Sequence, residues 1–100
     1  MNVSDIEGNL KEITTLLKAL SNEKRLCILC ALHTGEKKVG ELEAIVGLSQ
    51  SALSQHLARL RKDKLVMARR EAQTIYYSTN SPAVHAIMHC LCGLYGLARG

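Results

Sequence analysis

Gln50, Ser51, Ser54 and Gln55 crowd the first half of LSQSALSQHLARLRK, the stretch from Leu48 to Lys62. Amides and hydroxyls both donate and accept hydrogen bonds, which suits them to base edges and phosphate oxygens. Leu53, Leu57 and Leu60 recur at i, i+4 and i+7, so the stretch reads as a helix with one apolar stripe, and Ser49 is placed to cap it. Ser51, Ser54, Gln55, Ala58 and Lys62 fall on the opposite side, flanked by Gln50 and Arg61. A solvated face usually carries Glu beside Lys; this one carries Ser and Gln and no acid. Two readings stand: an amphipathic helix with a merely wetted surface, or a helix that reads DNA.

Three further groups carry chemistry. Arg69 and Arg70 are adjacent cations between two strand-like segments, Leu65–Ala68 and Thr74–Thr79. At a hairpin tip they can meet phosphate or enter a minor groove, or simply keep an edge hairpin soluble. His85 and His89 stand one helical turn apart with Cys92 next on the same face, a possible zinc ligand row or two exposed imidazoles. The four cysteines fall in two pairs inside apolar helical stretches, not in a disulfide framework, which fits a reducing cytoplasm. Thiols, His and Glu raise nucleophilic catalysis as an alternative. Nothing gathers them with a base and an oxyanion donor, and there is no phosphate-cradling glycine loop, so an enzyme is not expected.

The elements that must position these groups follow from periodicity. One hundred residues, 47% of them hydrophobic, make one domain with a modest core. With three Tyr and no Phe or Trp the core is aliphatic, and base stacking on aromatic platforms is not expected. The net charge of +4 is compatible with a polyanionic partner. No run is long enough to span a membrane, and no membrane partner is expected. Residues 1–8 read as frayed. Leu10, Ile13, Leu16, Leu17 and Leu20 give a helix over 9–20, and Ser21-Asn22 caps another from Glu23 to His33. That second helix is apolar nearly all round and therefore central, with Leu26, Leu29, Cys30 and His33 on one face. A short helix over Val39–Val46 turns Leu42, Ile45 and Val46 inward and closes at Gly47. Two helices joined by a Gly-containing turn, the second with a polar outer face, form a helix-turn-helix over 39–62. The wing covers 65–79. Ser81-Pro82 opens a last helix running to Ala98. The expected fold is mainly α with a β-hairpin wing, in the order α-α-α-α-β-β-α.

That order, with the segments LLKALSNEKRLCIL, VGELEAIVGLSQSALSQHLARLRKDKLV and RREAQTIYYS, resembles the ArsR/SmtB-type bacterial repressors over nearly the whole chain. Within them it is similar to the subgroup of NolR, HlyU, BigR and SqrR. The resemblance implies a homodimer built from the first and last helices and bound to a pseudo-palindromic double-stranded DNA operator. It implies base and phosphate contacts at Ser49, Gln50, Ser51, Ser54 and Gln55, and wing contacts at Arg69, Arg70, Gln73 and Thr74. His56 borders the leucine stripe and reads as a packing or hydrogen-bonding residue. No cofactor is implied.

The resemblance also bears on what is sensed. The segment VGELEAIVG lacks the Cys cluster of the arsenic and cadmium sensors. His85, His89 and Cys92 do not match the zinc-sensor spacing, and its acidic partner is missing. Cys30 stands where the persulfide sensors have their proximal thiol, and their distal position is Gly96 here. Cys92 lies one turn before Gly96 on the same face and is the candidate replacement. Three controls stay open: a Cys30–Cys92 thiol switch, a zinc response through His85, His89 and Cys92, and repression without an inducer. A protein-interaction module is the alternative from another class.

Overall fold

The helix Glu23–His33 (α3) buries Ile28, Leu29, Ala31 and Leu32 and leaves Cys27 and Cys30 exposed, so it is central but not enclosed all round as its apolar surface suggests. The computed structural model describes residues 1–97. Before α3 come α1 (Val3–Ile6), a 3-10 turn (Glu7–Asn9) and α2 (Leu10–Leu20). After it come β1 (Lys37–Lys38), α4 (Val39–Val46), α5 (Gln50–Lys62), β2 (Met67–Glu71), β3 (Thr74–Ser78) and α6 (Pro82–Tyr95). The arrangement is a winged helix-turn-helix. The segment expected to fray carries helical turns, with Asp5 accepting from the Asn2 N–H at 2.6 Å. The expected end of the last helix at Ala98 lies outside the described residues; α6 stops at Tyr95, and Gly96 takes a left-handed φ of 62°.

Caps and turns fix the helix ends. Asn22 Oδ1 accepts from the N–H groups of Lys24 and Arg25, both at 3.0 Å. Arg25 donates in turn to the carbonyls of Ala19 and Lys18 at the end of α2, both at 3.0 Å. These satisfy orphan carbonyls of one helix from the first turn of the next. Lys24 Nζ donates to the Val46 carbonyl at 2.9 Å, tying α3 to the end of α4. Gly47 has φ 68° and donates to the Glu43 carbonyl at 2.9 Å. That left-handed residue makes the bend between α4 and α5. At the end of α5, Leu65 N–H reaches the Leu60 carbonyl at 2.9 Å and Lys64 N–H reaches Arg61 at 3.0 Å. This is a Schellman closure with Lys64, at φ 60°, where glycine is usual.

The core gathers the α5 leucines with α3, α4 and α6. Leu53, Leu57 and Leu60 meet Leu42, Val46, Leu65, Val66, Val84 and Met88, all buried. Burying one such side chain stabilises by about 1.5–3 kcal/mol. One inward assignment is corrected. Ile45 is exposed because Leu42 and Val46, one turn apart, already fill the inner face of a two-turn helix. On α3, Leu29 is buried together with Ile28 and Leu32, while Cys30 beside it is exposed.

The sheet is larger than a hairpin. Its antiparallel order is β1-β3-β2, with Lys37 opposite Tyr77 and Lys38 opposite Tyr76. The pair Lys37-Lys38 has no apolar alternation, which is why β1 left no signal in the sequence. The wing strands are also shifted. β2 starts at Met67, after the buried Leu65 and Val66, and its loop is only Ala72-Gln73. Arg69 and Arg70, expected at a five-residue tip, are strand residues opposite Tyr76 and Ile75. The apolar pair reads as strand but belongs to the helix closure, and the charged residues read as loop but pair along the edge.

Candidate nucleic-acid interface

α5 presents the expected surface. Ser49 Oγ accepts from the Ala52 N–H at 3.2 Å and starts the helix. Ser49, Gln50, Ser51, Ser54 and Gln55 are all exposed, whereas Leu53, Leu57 and Leu60 are at most 1% exposed. The stripe thus fixes the rotation of the helix and turns the polar row outward. No acidic residue lies between Gln50 and Lys62. Arg59, Arg61 and Lys62 occupy the last turn, where the helix dipole favours cations. Asp63 follows at once and pairs with Arg59 at 3.7 Å. Phosphate oxygens would therefore meet an acid-free helix with cations at its end.

His56 lies at the edge of this face and is half-buried. Its pKa is lowered from the usual 6.5, first by desolvation and then by the Arg25 charge. A lowered pKa means the unfolded chain holds the extra proton more readily. The stability that follows from this is complete above 6.5 and is lost as pH falls through the lowered value. His56→Gln is expected to flatten this part of the profile. Urea midpoints of both proteins at about pH 7.5 and about pH 5.5 check it, and parallel losses would reject the assignment.

The wing places its four expected residues differently. Gln73 is exposed in the two-residue loop and Thr74 is half-buried at the start of β3. Side chains alternate along a strand, so Arg69 and Arg70 point to opposite faces of β2. Both are exposed. Arg69 is held by Glu36 and Glu71 at 2.7 and 2.6 Å, and its guanidinium lies 4.4 Å from the Tyr76 ring centre. Arg70 has no ion pair among the described residues. Glu36 was invisible to sequence reasoning because 33 residues separate it from Arg69.

Three thiols and His33 gather between α3 and α6. Cys30 and Cys92 line one cavity of ≈ 360 Å³, together with Cys27, Leu26, His33 and Met88. All four cysteines are thiols; Cys27, Cys30 and Cys90 are exposed and Cys92 is half-buried. Sequence reasoning gave Cys27 no role, although it precedes Cys30 by almost one turn. The zinc row is not assembled. Among the described residues no group of three or more His, Cys, Asp or Glu is placed to hold a metal ion. His85 spends both ring nitrogens elsewhere: Nδ1 lies 2.7 Å from His33 Nδ1, and Nε2 lies 3.3 Å from the Thr79 carbonyl. A carbonyl only accepts, so His85 Nε2–H donates to it and His33 Nδ1–H donates to His85. His89 is exposed.

Known proteins share this fold and much of this sequence. Residues 22–67 match the family described as bacterial regulatory protein, arsR family. The transcriptional activator HlyU of Vibrio cholerae is 52% identical over 95 residues, covering 95% of this chain and 88% of HlyU. The crystal structure of NolR from Sinorhizobium fredii is 47% identical and superposes with a TM-score of 0.84, over 98% of this chain and 97% of NolR. That of the transcriptional repressor BigR from Xylella fastidiosa reaches 0.88 at 36% identity, over 95% of this chain and 97% of BigR. Identity at this level across nearly whole chains, on one fold with one helix-turn-helix, establishes that the protein belongs to the arsR family of bacterial regulatory proteins and is a transcriptional regulator, not an enzyme.

Proposed function

We propose that the chain is a homodimeric, sequence-specific repressor, acting in the bacterial cytoplasm, that reads a pseudo-palindromic operator with α5 in the major groove. One observation carries this: the polar row of α5 is exposed and acid-free while the stripe behind it is fully buried. An α-helix fits the major groove, where Gln can pair bidentately with adenine and Ser with several base edges. Ser49, Gln50, Ser51, Ser54 and Gln55 supply the base and phosphate contacts, and Arg70, Gln73 and Thr74 reach phosphate from the wing. Both ends of the chain support a dimer. Val3, Leu10 and Leu17 at one end and Leu94, Tyr95 and Leu97 at the other are large apolar residues left exposed by the single subunit. A two-fold pair sets two α5 helices about one DNA turn apart. No helix among the described residues is long and apolar enough to cross a membrane.

Control by thiol chemistry belongs to the same proposal. Cys30 on α3 and Cys92 on α6 share a cavity. A polysulfide can oxidise the two thiols, taking up their electrons and leaving a disulfide or a sulfur-extended bridge. Such a bridge ties the central helix to the dimer helix and shifts α5 within the pair.

Titration of labelled duplex at several salt concentrations tests both parts. Binding is expected to weaken steeply as salt rises, because each phosphate contact releases counterions. A protein-interaction module would show no such binding. After polysulfide treatment, an added-sulfur mass joining Cys30 to Cys92 and weaker operator binding are expected. Unchanged binding despite that mass would reject thiol control and leave the repressor.

A further inference from the structure

The geometry points to Glu36 as a positioning residue of the wing, which holds Arg69 out of the phosphate-contacting set and leaves Arg70 as the wing's working cation. The inference rests on the operator-binding function proposed above.

Glu36 lies in the turn after α3, just before β1, and Arg69 lies on β2. With the strands ordered β1-β3-β2, their contact spans β3. Arg69 Nη2 donates to Glu36 Oε1 at 2.7 Å and Nε donates to Oε2 at 3.3 Å. Two parallel N–H···O bonds of this kind fix the plane of the guanidinium as well as its position. Nη1 donates to Glu71 at 2.6 Å, and the Tyr76 ring backs the group at 4.4 Å. Two carboxylates thus flank this one cation, while Lys38, opposite Tyr76 on β1, is the second cation of the same face. A phosphate approaching Arg69 meets two anions and must displace one of them. The hydrogen bond from Arg69, helped by its charge, lowers the Glu36 carboxyl pKa, and the two acids push the Arg69 pKa up. Arg70 faces the other way, opposite Ile75, with no ion pair among the described residues. The sequence shows two equivalent neighbours; the strand makes them opposites.

The test uses the full chain and one duplex, with affinity measured against salt for wild type, Glu36→Gln, Arg69→Gln and Arg70→Gln. Losing one phosphate contact lowers the slope of log affinity on log salt by about 0.9. Arg70→Gln is expected to show that loss and Arg69→Gln to leave the slope unchanged. Glu36→Gln leaves Arg69 with Glu71 as its one carboxylate partner, so the slope is expected to steepen by up to about 0.9 and low-salt binding to tighten. Adding Arg69→Gln to Glu36→Gln removes the gain. A DNA-free measurement accompanies it: a carboxyl carbon NMR titration places Glu36 below the usual range in wild type and returns it there in Arg69→Gln. An ordinary Glu36 titration in wild type overturns the clamp. A low Glu36 with equal slope losses in Arg69→Gln and Arg70→Gln overturns the assignment of Arg69 while the repressor reading stands. A wild-type protein with no salt-dependent duplex binding overturns the repressor reading and this inference with it.

Discussion

Changing Gln50, Ser54 and Arg70 together to alanine is expected to lower operator affinity by on the order of a thousandfold and to leave the fold intact. A good base contact is worth about 1–3 kcal/mol, and a phosphate contact adds a sequence-independent share. All three side chains are exposed, so truncation opens no cavity. The signature is split by role. Gln50→Ala and Ser54→Ala are expected to relax discrimination at particular base pairs, and Arg70→Ala to weaken all duplexes alike and flatten the salt dependence. Fluorescence anisotropy against the native promoter site and against scrambled duplex separates these outcomes, with circular dichroism confirming the fold. An unaltered Kd for the triple variant on the native site removes α5 and the wing as the reading surface.

Leu57→Ala is the second large effect, and it acts on the back of the same helix. Leu57 is 1% exposed at the middle of the α5 stripe. Removing a buried leucine costs about 2–5 kcal/mol, through lost transfer energy and the cavity left behind. Small domains have about 5–15 kcal/mol in total, so this is a large fraction. Urea unfolding is expected to show a lower midpoint with an unchanged slope. DNA binding is expected to fall only as the folded fraction falls, because no contact side chain is altered. A midpoint loss worth under about 1 kcal/mol would mean that Leu57 is not packed in the core.

Exposed polar residues and buried leucines divide α5 into a front and a back, and that division was legible in the sequence. Leucines at i, i+4 and i+7 fix a helix and its rotation, and a serine ahead of them fixes its start, because both signals are local. Gly47 and the Asn22 cap were legible for the same reason. What the sequence hid was non-local or lacked period. β1 is two lysines whose only strand signal is pairing with Tyr76 and Tyr77, some forty residues away. Leu65 and Val66 look like strand but finish the α5 closure. The Glu36–Arg69 pair and the His33–His85 contact exist only once distant elements meet. The α5 face was therefore the readable half of the site, and the charge state of the wing was the unreadable half.

Gly47, at φ 68°, has no heavy atom within 4 Å of where a side-chain carbon would stand. The elbow between α4 and α5 is thus governed by torsional preference alone, with room to spare around it. Replacements there should rank by their tolerance of left-handed backbone, asparagine mildest and valine or isoleucine worst, irrespective of bulk. One vacant spot could then serve as a dial, grading how firmly the elbow is set without touching a residue that meets either DNA or the interior.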